Sequence, residues 1–278
     1  KQLSEAVSEY YTDRFEEGED RRERLEADGV KPIKRTRDLV DAKVNPNGNT
    51  LAVSSYDKGQ IRIYLVDLKT GDRKKVEKKF HKIDRIQHER FPALAWHPKG
   101  KILSYALTYK GETQMFNLDV KTGKTEIRPV KGVDEVLSIA YSPDGSKIIL
   151  SGIRNGRSDL YSYFPVNGRA APLTNDIFDD LQPRFSETGG RVYFVSNRSN
   201  DTVAIGGGIQ PRYDVFSIDP LGESAVLERI TNTPLDNELH PVPFGNDDVC
   251  FLSDRGGIWN RYLGEKDSAI SFIDTTIH

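Results

Sequence analysis

The stretch Ile139-Ala140-Tyr141-Ser142-Pro143-Asp144-Gly145-Ser146-Lys147-Ile148-Ile149-Leu150-Ser151-Gly152 reads as two alternating, β-branched runs joined by a Ser-Pro-Asp-Gly turn. Pro presets the backbone at the second turn position, and Gly supplies the permissive backbone at the fourth. Two upstream stretches are spelled the same way: Val44-Asn45-Pro46-Asn47-Gly48 and Trp96-His97-Pro98-Lys99-Gly100. In all three an aromatic follows the turn glycine by 16 residues (Tyr64, Phe116, Tyr161), and a second glycine follows 7 later (Gly71, Gly123, Gly168). The turn glycines are spaced 52 and then 45 residues apart.

A fourth copy runs Arg184-Phe185-Ser186-Glu187-Thr188-Gly189-Gly190 into Arg191-Val192-Tyr193-Phe194-Val195-Ser196. Its aromatic, Phe216, comes 26 residues after Gly190, because a polar, glycine-rich insertion from Ser199 to Gly208 intervenes. A fifth copy, with a degraded turn, reads His240-Pro241-Val242-Pro243-Phe244-Gly245 and continues with Val249-Cys250-Phe251-Leu252-Ser253. Each copy holds short runs with period-2 alternation, such as residues 50–56, 60–67 and 73–77 in the first. Four strands per unit of about 40 to 50 residues is the pattern of a β-propeller blade. A β-sandwich is the plainer alternative, but it would not repeat both spacings.

The expected fold is therefore all-β, a β-propeller of four-stranded blades with five repeats visible and six or more possible in the intact protein. Blades are expected at about 40–80, 89–132, 134–176, 177–234 and 235–278. The first and fifth copies would leave exposed edges open to association if the ring does not close. Residues 1–38 form a separate lead-in. There Leu3, Val7, Tyr10 or Tyr11, and Phe15 fall at helical spacing among charged residues, and a charged stretch follows Gly18. This predicts an N-terminal amphipathic α-helical segment whose acidic polar face argues against membrane binding.

Composition narrows the function classes. With 40 basic and 42 acidic side chains the formal charge is −2, too small a field to gather nucleic acid or an anionic membrane. No apolar run is long enough for membrane insertion. The single Cys250 excludes an internal disulfide. Lys1 stands where an initiating Met would, so sequence is expected to be missing.

No catalytic motif emerges. The nearest approach to a Gly-x-Ser-x-Gly elbow, Gly222-Glu223-Ser224-Ala225-Val226, lacks its closing glycine, and His-Glu-x-x-His does not occur. Gly123-Lys124-Thr125 would need a glycine at Leu118 to end a phosphate loop, and its counterpart Lys69-Thr70-Gly71-Asp72 marks it as a hairpin turn. The expectation is thus no catalytic residue, no metal and no cofactor. Arg154, Arg198 and Arg255 recur after the second strand of their copies. That recurrence predicts a structural role, bridging by a five-donor fork to loop carbonyls of an adjacent blade.

Two groups are candidate binding residues. Arg90, Asp134, Glu135, Asp179, Asp180, Glu238 and His240 lie at the starts of the innermost strands and should face one channel mouth. Together they form either an acidic funnel for a basic peptide or cation, with Arg90 paired to Asp134 or Glu135, or a set of solvated loop charges. The insertion offers Asn200, Asp201 and Arg212 as a partner loop. Sugar binding would call for an aromatic cluster at a mouth, whereas Trp96 and Trp259 are expected inside strands.

Residues 139–152, continued by Asp159-Leu160-Tyr161, resemble the WD-like repeat of TolB-type propellers. So does Leu173-Thr174-Asn175-Asp176 followed by Gln182-Pro183-Arg184-Phe185-Ser186, a junction repeated by Ile230-Thr231-Asn232 before His240-Pro241. The resemblance covers about 39–278. It implies six blades, a bacterial periplasmic or secreted location, and a non-catalytic scaffold that binds a protein or peptide partner. The alternative it implies is a substrate-gating propeller in a larger peptidase whose catalytic domain lies outside this chain.

Overall fold

In the computed structural model each Pro-Gly turn joins the first two strands of an antiparallel sheet. The structure describes residues 38–57, 60–80, 92–109, 111–198, 212–220, 227–233, 236–245 and 248–264. The expected N-terminal helix lies outside them, as do Arg90, Asn200 and Asp201. Blade I is built from β1 (Asp38–Val44), β2 (Thr50–Asp57), β3 (Gln60–Asp67) and β4 (Arg73–Phe80). Blade II follows with β5 (Leu94–Trp96), β6 (Ile102–Tyr109), β7 (Glu112–Asp119) and β8 (Thr125–Pro129). Blade III contains β9 (Glu135–Tyr141), β10 (Ile148–Arg154), β11 (Arg157–Phe164) and β12 (Arg169–Pro172). Blade IV comprises β13 (Asp180–Phe185), β14 (Val192–Ser196), β15 (Asp214–Ile218) and β16 (Leu227–Arg229). Blade V shows β17 (Glu238–Phe244), β18 (Asp248–Ser253) and β19 (Asn260–Gly264). Strand order within each sheet is sequential, so the chain forms a five-blade, all-β propeller.

The turns explain the repeat. Gly48, Gly100, Gly145 and Gly189 sit at φ of 70°, 68°, 77° and 76°, and each donates its N–H to the carbonyl three residues back. The side chain at that earlier position closes the loop. Asn45 Oδ1 accepts from Asn49 and Thr50 N–H (3.0 Å each), and Ser142 Oγ accepts from Lys147 N–H (2.9 Å). Successive turns also touch: a Cβ on Gly145 would meet His97 Nε2 at 2.4 Å, and one on Gly189 would meet Pro143 Cδ at 3.3 Å. At Gly145 glycine is thus required both by the turn and by the neighbouring blade.

The aromatics of the 16-residue spacing, and Phe216 of the fourth copy, fall on the third strands. Phe116 stacks on Tyr105 with ring centroids 5.1 Å apart, and Tyr161 and Phe216 are buried. Alternation sends one face of each sheet to each neighbour. Ala52, Ile61, Ile63 and Leu65 of blade I pack with Leu94 and Trp96 of blade II. Ile149 and Leu160 of blade III meet Phe185 and Phe194 of blade IV, whose Tyr193 and Val195 meet Val249 and Phe251 of blade V. The innermost strands β1, β5, β9, β13 and β17 stand side by side in that order, and among the described residues β17 makes no comparable contact with β1. Trp96 lies within β5, whereas Trp259 precedes β19 and is half-exposed rather than inside a strand. Among the described residues no helix is long and apolar enough to cross a membrane.

Candidate functional site

One end of the ring collects the starts of the innermost strands and the ends of the second strands, and it carries most of the candidate binding residues. Asp180 and Glu238 open β13 and β17 and are fully buried. Neither faces solvent, because each is held by the arginine that follows the second strand of its own blade. Arg198 grips Asp180 with both arms of its fork, Nη1 to Oδ1 at 2.7 Å and Nη2 to Oδ2 at 2.8 Å, and also pairs with Asp176. Arg255 pairs with Glu238 Oε1. Aromatic rings back both guanidinium groups: Arg198 lies 5.8 Å from the Phe178 and Phe194 centroids, and Arg255 lies 4.5 Å from that of Tyr262. Burial pushes the Asp180 carboxyl up, against the pull of Arg198.

Two of the three recurring arginines, Arg198 and Arg255, are therefore structural, with a correction to their partners. Arg198 and Arg255 bridge to carboxylates rather than to carbonyls of an adjacent blade: each holds the acid that opens its own innermost strand, and Arg198 also holds the junction residue Asp176. A carboxylate aligned with a guanidinium fork offers two charge-assisted bonds, which a carbonyl cannot. Arg154, the third of the series, is exposed, and in its blade Asp134 Oδ2 instead accepts the Asn155 N–H (3.1 Å).

The preceding positions are also braced. Asp179 donates its amide to Asn197 Oδ1 (2.8 Å) and accepts from Asn197 Nδ2 (3.3 Å). Blade V swaps the residue types: Asn237 donates its amide and its side chain to Asp254 (2.6 and 3.0 Å). Of the candidate residues before the innermost strands, this end presents to solvent exposed Asp134, half-buried Glu135 and exposed His240. Arg212 adds an exposed guanidinium 4.0 Å from Asp254.

Sequence reasoning did not find the ties between innermost strands. Gln182 and His240 occupy matching bulges of β13 and β17 at φ of 56° and 54°, and Gln182 Oε1 accepts the His240 N–H at 2.7 Å. Asp41 does the same for blade II, accepting the Leu94 N–H at 3.0 Å. The Gln-Pro and His-Pro pairs are the only trace of these bulges in the sequence. The Leu-Thr junctions have a physical reason as well. Thr174 Oγ1 accepts the Leu160 N–H (2.9 Å) and approaches Asp159, and Thr231 Oγ1 accepts the Val215 N–H (2.8 Å) and donates to Asp214 (3.2 Å). Each junction threonine thereby fastens the end of a blade to its third strand.

Asp159, Asp176 and Asp180 place ligand oxygens within 4.8 Å of one another. The Arg198 guanidinium rests on two of the three, so a cationic side chain already supplies the countercharge.

The turn and the third-strand aromatic recur from blade to blade, the Leu-Thr or Ile-Thr junction follows blades III and IV, and residues 23–206 match the family model described as the TolB beta propeller domain. The chain belongs to this TolB beta propeller family. Among curated proteins it is similar to the uncharacterized protein Atu1656 of Agrobacterium fabrum, 25% identical over 159 residues, which is 56% of this chain and 50% of the relative. The chain thus spans about half the length of the curated relative it matches. Among solved structures it resembles TolB from Acinetobacter baumannii (TM-score 0.57, 18% identity, 86% of this chain and 58% of that one). It also resembles a putative TolB from Agrobacterium tumefaciens (TM-score 0.59, 22% identity, 78% and 70%). A puromycin hydrolase shares the fold at TM-score 0.53 and 14% identity, over 81% of this chain and 35% of that one. At such identities the likeness is one of fold.

Proposed function

We propose that this TolB-family propeller is a non-catalytic scaffold of the bacterial cell envelope, periplasmic or secreted, that binds a protein or peptide partner at the strand-start end of its ring. The carrying observation is how the acids of that end are used. Asp180 and Glu238 are spent on in-blade arginine bridges, and Asp179 on its mutual bonds with Asn197. The same end is stiffened by the bond from His240 to Gln182. Such a site is a rigid platform for presenting contacts, with Asp134, Glu135, His240 and Arg212 as the described groups in place to make them; Asn200 and Asp201 join the proposal from the sequence and lie outside the described residues. Arg90 lies outside the described residues and joins the proposal only by its place in the sequence before β5. The test is crosslinking in an envelope extract with the full-length protein, wild type against Arg212→Glu combined with His240→Ala. A partner captured by the wild type and lost from the variant supports the reading; equal capture overturns it.

The second reading, a substrate-gating propeller of a larger peptidase, is favoured by the fold shared with a puromycin hydrolase. It requires peptide hydrolysis by the full-length protein, and rates that change with the same two substitutions.

A further inference from the structure

Among the described four-stranded sheets, the outer edge of blade I is the longest. β4 is eight residues long, against five for β8, four for β12 and three for β16. β8 and β12 end in Pro129 and Pro172, which cannot donate to a further strand; β4 contains no proline. It is the last strand of its sheet, with its outer edge unpaired among the described residues. A long, proline-free edge is a template for one more strand.

Its sequence, Arg73-Lys74-Lys75-Val76-Glu77-Lys78-Lys79-Phe80, gathers five of the chain's 40 basic residues into eight positions, although the molecule as a whole carries −2. Register sorts these charges. Arg73, Lys75 and Lys78 lie opposite Val66, Tyr64 and Arg62, so within β3 and β4 they share one face with a fourth cation, Arg62, and with no acid, while Asp57 of β2 joins that face opposite Gln60. Glu77 lies opposite Ile63 on the other face, where Oε2 accepts from Tyr105 Oη at 3.2 Å. Arg73, Lys74, Lys75 and Lys78 are all exposed. Among the described residues no carboxylate forms an ion pair with Arg73, Lys74 or Lys75.

We infer that β4 is a docking edge for an extended acidic segment of a partner protein, which adds as a fifth strand with Asp or Glu at alternate positions over Arg73, Lys75 and Lys78. Like charges directly opposite one another destabilise strand pairing, so the lysines keep β4 from pairing with the same edge of another copy. An acidic strand turns the same charges from repulsive to attractive. Backbone hydrogen bonds then supply affinity, and the alternate cations supply selectivity. This surface is distinct from the strand-start end and does not depend on it.

The probe is a fluorescein-labelled peptide of alternating Glu and Thr, titrated with the full chain and followed by anisotropy. Saturable binding is expected, weakening with salt. Replacing Arg73, Lys75 and Lys78 by Glu is expected to weaken it about tenfold or more, with an unchanged thermal transition confirming the fold. Reversing Lys101 and Lys121 in blade II should leave affinity within about twofold. A peptide of the same sequence N-methylated at alternate residues keeps its charges but loses its edge donors, and it is expected to bind about tenfold more weakly. Equal binding of the N-methylated peptide overturns strand addition. Anionic vesicles or a single-stranded oligonucleotide binding as tightly as the peptide, with the same loss in the triple variant, would overturn the assignment to a protein partner.

Discussion

Asp159 is buried in β11, yet its hydrogen bonds are long, 3.5 Å from Thr174 Oγ1 and 3.4 Å from the Asp176 N–H. Burial, together with the nearby Asp176 carboxylate, raises its carboxyl above the ordinary 3.8. A raised carboxyl binds its proton more tightly in the folded chain than in the unfolded one, so its ionisation opposes folding. The stabilising effect of its protonation is complete below 3.8 and is lost as pH rises through the folded value. Asp67, Asp119 and Asp144 are shifted the other way, the first two chiefly by backbone N–H donors and Asp144 chiefly by the Ser142 hydroxyl. Their contributions are present above 3.8 and fall away only beneath it, outside this window. Asp159→Asn, which keeps an acceptor for Thr174, should therefore raise the urea midpoint near neutral pH, with the gain shrinking as pH falls toward about 4. A gain independent of pH would show that Asp159 ionisation is not the cause. The Asp-Leu-Tyr motif made this residue visible in the sequence. Its cost was not visible, because it comes chiefly from burial, which only the folded blade imposes, with the Asp176 carboxylate 17 positions along the chain adding to it.

At the scale of the element, equivalent turns differ only in what lies next to them. Gly123 and Gly168 both close the hairpin from third to fourth strand, at φ of 72° and 69°, with N–H bonds of 2.8 and 2.9 Å to the carbonyl four residues back. A Cβ on Gly123 would meet nothing within 4 Å, whereas one on Gly168 would strike the Pro129 carbonyl oxygen at 2.6 Å and Pro129 Cγ at 2.7 Å. Gly123→Ala should then cost only the left-handed backbone, about 1 kcal/mol. Gly168→Ala should cost about 2 to 4 kcal/mol, since backbone of blade II must also shift. Urea denaturation of the two variants measures the difference, and equal losses would mean that the Pro129 contact yields freely. This pair marks where legibility ends. Turns, strands and third-strand aromatics were readable because period-2 alternation and Pro-Gly chemistry are local. The partners of Arg198 and Arg255, the bulges at Gln182 and His240, and the docking of Gly168 on Pro129 depend on how strands and blades are set against one another, which local sequence does not specify. Charge alone made Asp180 and Glu238 look like mouth residues, and only the geometry shows them sealed beneath their arginines.

For the molecule as a whole, blades differ in how many faces they bury. Blade IV is covered on both sides, Phe194 against blade III and Val195 against blade V. Blade V turns Val249 and Phe251 to blade IV, but Val242 and Leu263, aligned across the sheet through Cys250, are 53% and 49% exposed, and Phe244 is 53% exposed. A sheet packed on one face opens at a lower free energy than one packed on two, and amide hydrogen exchange reports that free energy strand by strand. Amides of β18 should therefore exchange well ahead of those of β14, although both are central strands of antiparallel sheets. Matching protection of β18 and β14 would sink this expectation, because it would require the far face of blade V to be covered in solution. Dilution then separates the two possible covers. Protection that falls with protein concentration identifies a second copy of the chain, and protection that does not identifies a segment of the same chain lying outside the described strands.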